Sequence, residues 1–121
     1  MTTADTAATT AAPIETHAIA EVETARQASG QAYRQFVNRG TLSAGLYVLE
    51  AGATDPQQPH VEDEVYYVLS GRGRITVEGE ARPVAAGDLV FVAAMAEHRF
   101  HDIAETLSLL VFFAPEHTVS G

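Results

Sequence analysis

The stretch Glu64–Ala94, EVYYVLSGRGRITVEGEARPVAAGDLVFVAA, constrains the fold more than any other part of the chain. Its apolar runs are short and rich in β-branched and aromatic residues, and Ser70-Gly71, Glu78-Gly79 and Gly87-Asp88 break them at intervals near ten residues. Such runs suit strands, and the dipeptides suit the turns between them. Regular spacing of this kind marks an all-β sandwich or barrel. Upstream, YRQFVNRG and TLSAGLYVLEAG also read as strands ending in glycines. Downstream, HRFHDIAETLSLLVFFAP supplies two more, giving about eight short strands in all.

The rest of the chain adds little. Residues 1–12, MTTADTAATTAA, have no aromatic residue and no periodic apolar face, and are expected to be a disordered tail. The run PIETHAIAEVETAR from Pro13 to Arg26 fits either a short helix or an edge strand. No internal repeat or linker divides residues 13–121, and a chain of 121 residues fits one domain. The absence of cysteine excludes disulfides and thiolate metal sites, so any metal must take nitrogen or oxygen ligands. The net charge of −9 disfavours nucleic acid and anionic membranes as partners. No apolar run is long enough to span a bilayer and no signal peptide is visible, which leaves a cytoplasmic protein as the expectation.

The chemistry-bearing segment is PQQPHVEDEVYYV, Pro56–Val68. A histidine followed by acids is compatible with a solvated hairpin tip. It is also compatible with half of a metal site, and geometry states the condition. On one straight strand His60 and Glu64 would lie about 13 Å apart, at roughly 3.3 Å per residue. Two donors on one ion must come within about 4 Å. If both bind, the chain reverses around Val61-Glu62-Asp63, with Gln58 and His60 on one strand and Glu64, Tyr66 and Val68 on one face of the next. Far downstream, His98 opens a strand after the small-residue loop Ala93–Glu97, a position at a barrel's rim. His101 has the opposite parity and is expected to face away.

These residues fall into two motifs that resemble those of the cupin superfamily. The first, G-x5-H-x-H-x3or4-E-x6-G, matches Gly52, Gln58, His60, Glu64 and Gly71 in every spacing, with Gln58 where the family has a histidine. The second, G-x5-P-x-G-x2-H-x3-N, matches Gly87 and His98, with Ala93, Met95 and Asp102 replacing its Pro, Gly and Asn. The resemblance spans residues 40–114. It implies a double-stranded β-helix, or jelly-roll, barrel, and a divalent transition metal held by His60, Glu64 and His98 with Gln58 as a possible fourth ligand. Two histidines and one carboxylate resemble the facial triad of non-haem iron oxygenases. Iron(II) is therefore favoured, with manganese, nickel, copper and zinc as alternatives.

The resemblance thus points to a metal-dependent enzyme acting on a small organic molecule, with dioxygenase-type chemistry first and isomerase or lyase chemistry next. The replacement of a histidine by Gln58 keeps a second class open, a non-catalytic barrel that binds a metal or small ligand. Tyr66, on Glu64's face, is a candidate catalytic proton donor. Phe100, Met95, Val68 and Val90 are expected to line the pocket. Glu62 and Asp63 are expected to form a solvated acidic tip. Small one-barrel members of the superfamily are often homodimers, which is the expectation here, with Pro13–Arg26 free to cross to the partner.

Overall fold

The computed structural model describes residues 12–56 and 59–115. It contains one helix, α1 (Ile19–Ser29), and six strands: β1 (Tyr33–Asn38), β2 (Ser43–Leu49), β3 (Asp63–Val77), β4 (Glu80–Ala85), β5 (Leu89–Val92) and β6 (His98–Ala114). They form one antiparallel sheet in the order β1-β2-β6-β3-β4, with β5 also paired to β3.

Six strands replace the expected eight because two of them are long. β3 has 15 residues and β6 has 17, and they run antiparallel from Asp63↔Ala114 to Val77↔His98. The expected turn at Ser70-Gly71 is not a chain reversal. The β3–β6 ladder there carries register shifts between Val68 and Arg74, and such bulges bend and twist a strand without ending it. Gly71 sits in this bend at φ 89°, where an added Cβ would lie 1.9 Å from the Thr106 carbonyl oxygen. Only glycine supplies both that backbone angle and that clearance. Asp102, opposite the bend, is likewise at positive φ, 48°, within β6 rather than in a turn. The other two expected turns exist: Glu78-Gly79 links β3 to β4 with both residues at positive φ, as a tight hairpin needs, and Gly87 precedes β5.

The bend folds the β3–β6 ribbon over on itself. Tyr66 and Ile75 are nine positions apart on β3, about 30 Å if the strand were straight. Yet Tyr66 meets Phe100, the cross-strand partner of Ile75, edge-on with ring centroids 4.8 Å apart. Inward side chains of both halves therefore share one core, with Tyr47, Tyr66, Val68, Leu109 and Val111 from one half and Ile75, Val84, Phe100 and Ile103 from the other. This is the expected single-domain jelly-roll arrangement.

The helix that begins within the 13–26 segment packs against the chain's own sheet. The segment rich in alanine, glutamate and arginine forms α1, closed by Gly30 at φ 75° in the left-handed C-terminal position. Its Val22 packs on Leu46 and Val48, on the outer face of β2. Every residue of β2 is consequently buried, since the core covers Tyr47 and Leu49 from the other side. No helix among the described residues is long and apolar enough to cross a membrane.

Candidate metal centre

The ribbon's fold-over brings together residues distant along the ladder. Glu64 is at the start of β3, and His98, the first residue of β6, pairs with Val77 at the far end of β3. Thirteen positions of straight strand would separate these levels by about 43 Å. In the folded ribbon His98 Nε2 lies 3.1 Å from Glu64 Oε1. His60 completes the group, and one donor atom from each of the three residues lies within 4.8 Å of the others. His60 does not stand on a strand, as expected, but on the loop before β3, where the chain bends at Val61-Glu62. Its ring lies 5.7 Å from that of His98 and edge-on to Phe113 at 5.4 Å. Gln58 lies outside the described residues.

The hydrogen-bond pattern leaves a place for a cation. His98 Nδ1 is 2.9 Å from the Ala96 carbonyl oxygen. A carbonyl only accepts, so Nδ1 carries the proton and, in the neutral ring, Nε2 presents a lone pair. That lone pair faces Glu64 Oε1 and accepts from the Tyr66 hydroxyl at 3.2 Å. Unless His98 is protonated, Nε2 and the Glu64 carboxylate compete for the one Tyr66 proton in a dry interior. Glu64 is 2% exposed, and its carboxylate faces the Tyr66 hydroxyl and His98 Nε2, a donor only when that ring is protonated. A buried carboxyl left this way carries a cost of about 1–3 kcal/mol or more. Asp55, Glu62 and Glu64 are all buried, while no arginine is among the buried residues described and the chain has no lysine. A divalent ion between His60, Glu64 and His98 would balance the buried carboxylate charge and take up the His98 lone pair, so the residues present fit a metal.

Protonation answers the same need in part. Burial alone pushes the His98 imidazole down, but contact with Glu64 and the Ala96 carbonyl outweighs it, and the pKa ends above its ordinary value. Tyr66 is fully buried, and burial, reinforced by Glu64's charge, holds its phenol well above the ordinary tyrosine range. It stays protonated at neutral pH.

Phe100 and Val68 are fully buried in the core, where Phe100 meets Tyr66, and Val90 packs partly buried against that core. Met95, expected in the pocket, is instead 60% exposed. Its backbone explains the resemblance's preference for glycine, since it sits at φ 66° while its N–H donates to the His60 carbonyl at 2.6 Å. Glu62 is not part of a solvated tip, being 3% exposed. Asp63 is exposed and accepts from the Ala94 N–H at 2.9 Å. His101 faces away and contacts Thr76 Oγ1 at 2.7 Å and Asp102 Oδ2 at 2.9 Å. Two inward residues escape sequence reasoning. Asp55, in a loop before Pro56, reads as an ordinary turn acid but is 1% exposed. Tyr33 lies across Gly45, where an added Cβ would be 2.3 Å from its ring.

The family model described as Cupin domain matches residues 45–113. An uncharacterized protein of Streptomyces coelicolor is 50% identical over 95 residues, which is 78% of this chain and 90% of the relative. Among solved structures, KdgF from Halomonas sp. is similar with a TM-score of 0.63 at 21% identity, over 69% of this chain and 76% of that one. The DMSP lyase DddQ from Ruegeria pomeroyi is similar with a TM-score of 0.65 at 22% identity, over 74% of this chain and 48% of that one. At these identities the two solved structures share the fold.

Proposed function

Because the chain belongs to the cupin domain family, we propose that it is a metal-dependent enzyme of the dioxygenase type acting on a small organic molecule. The observation that carries this reading is the convergence of His60, Glu64 and His98 around a buried carboxylate. A divalent iron held by these three would supply Lewis acidity and activation of dioxygen, with positions left for substrate. The chain's own residues do the rest. The Ala96 carbonyl fixes the His98 tautomer and ring orientation, so that Nε2 rather than Nδ1 serves as ligand. Phe100, Phe113 and Val68 exclude water, which strengthens every charge interaction at the site. Tyr66 keeps its proton and presents it 3.2 Å from His98 Nε2, within reach of a substrate atom bound at the same place.

Nitric oxide, a stand-in for dioxygen, tests this reading. Protein reconstituted with iron(II) without oxygen should bind it and give the electron-paramagnetic-resonance signal of an iron–nitrosyl centre with half-integer spin. Protein that binds iron but no nitric oxide contradicts the dioxygenase reading. It would favour the second one, a metal-dependent lyase or isomerase with Tyr66 as the proton-transferring group, which the closeness of that phenol to the ligands supports.

A further inference from the structure

We infer that Asp55 is a positioning residue for the metal centre, setting the distance between the loop that carries His60 and the strand that carries His98. The inference rests on the metal-site reading above.

The first half of β6 lacks a strand on one side. Of β6, β2 pairs only with Leu107–Phe113, so residues 98–104 have β3 on one edge and none of the described strands on the other. The loop after β2 runs along that edge instead. The Gly52 N–H donates to the Ile103 carbonyl at 3.0 Å. Three residues on, Asp55 takes over with its side chain. Oδ2 accepts the Phe100 N–H at 2.9 Å, in place of the carbonyl that a neighbouring strand would supply, and Oδ1 accepts the Tyr47 hydroxyl at 2.7 Å.

The carboxylate thus ties the loop to two elements at once, to β6 two residues beyond His98 and to the inner face of β2. From His60 onward, the Met95 N–H on the His60 carbonyl and the Ala94 N–H on Asp63 hold the chain to the loop that precedes His98. Among the described residues, His60 thus has fixed points on both sides, with Asp55 upstream. Both carboxylate oxygens are used and the residue is 1% exposed, so the geometry is fully specified. Asp55 acts through the Phe100 and Tyr47 groups it binds, which makes its role positioning.

A buried carboxylate also attracts cations, and the two effects separate by substitution. Asp55→Asn keeps the shape and removes the charge together with one ideal acceptor. Tyr47→Phe keeps the charge and removes one anchor. The full chain would be titrated with Zn²⁺ by calorimetry, and the Co²⁺ form compared by visible absorption. Asp55→Asn should weaken Zn²⁺ binding about tenfold or more and alter the Co²⁺ ligand-field bands. Tyr47→Phe should weaken binding several-fold and shift the bands in the same direction. Val22→Ala, under α1 and remote from the site, controls for lost stability and should leave both readouts unchanged. Wild-type binding with Asp55→Asn indistinguishable from it overturns the role, as does Tyr47→Phe binding as tightly as wild type, which would leave attraction alone. A Val22→Ala variant as impaired as Asp55→Asn would also overturn it, as a stability effect. A wild type that takes up neither ion overturns this inference and the metal-site reading together.

Discussion

The ligands held by strands and the ligand held by a loop are positioned by different means. Glu64 and His98 lie on β3 and β6, their backbones fixed by the longest ladder in the molecule, and both are buried to within 4% exposure. His60 stands on a loop, half-buried, with its place set by separate hydrogen bonds from Met95 and, further upstream, through Asp55. The strand pair is rigid because moving it would break the core. The loop ligand can be moved for the loss of a few bonds. Stability and metal affinity should therefore separate between the two regions.

The bend that creates the strand pair gives the largest effect. Gly71→Ala places a Cβ against the Thr106 carbonyl at a backbone angle that L-residues rarely adopt, and should destabilise the protein by about 3 kcal/mol in urea unfolding. Metal uptake should fall with the fold. A smaller and opposite effect is expected one step from the bend. Glu64→Gln replaces a buried, under-paired carboxyl by an amide that can donate to His98 Nε2. At a pH where His98 is neutral it should stabilise the metal-free protein by about 1–2 kcal/mol while abolishing metal binding. A fall in metal-free stability would show that Glu64 is satisfied in solution.

On the loop side, His60→Ala should change stability by only about 0.5 kcal/mol, yet weaken metal binding far more than tenfold, which thermal unfolding and calorimetry would read separately. Loss of the fold in this variant would erase the contrast. The mildest effect is one of pH. His98's pKa is raised by folding, so its contribution to stability is fully present below the unfolded value near 6.5 and is lost as pH rises through the folded value. Metal-free protein should thus melt at lower temperature on the alkaline side of that window. Metal affinity should rise over the same range as the proton ceases to compete. A melting temperature that climbs across it would contradict the role given to the Glu64–His98 contact.

Period and spacing made the strand side legible. Alternation placed Glu64, Tyr66 and Val68 on one inward face, and the parity difference between His98 and His101 separated the inward ring from the outward one. Spacing alone did not tell a turn from a bend, because Ser70-Gly71 has the composition of a hairpin tip but serves as a corner within a continuous strand. The count of strands was too high for that reason. The loop side was read less well. Asp55 and Glu62 look like solvated loop acids, and only the path of the chain along the open edge of β6 buries Asp55. Met95 was placed at the pocket from its position in the second motif, whereas its backbone angle and its bond to His60 are what the structure shows there. Loops follow the elements they join, so their contacts are not written in a local pattern.

The central claim is that His60, Glu64 and His98 together hold one divalent transition metal. Equilibrium dialysis of untagged protein against Fe²⁺, Mn²⁺, Ni²⁺, Cu²⁺ and Zn²⁺, followed by metal analysis by mass spectrometry, tests it most directly beside a folded His60→Ala/His98→Ala double variant. The account predicts about one equivalent of metal in the wild type with at least one of these ions, and none in the variant. A wild type that stays empty with every ion, or a variant that binds as much, would contradict it.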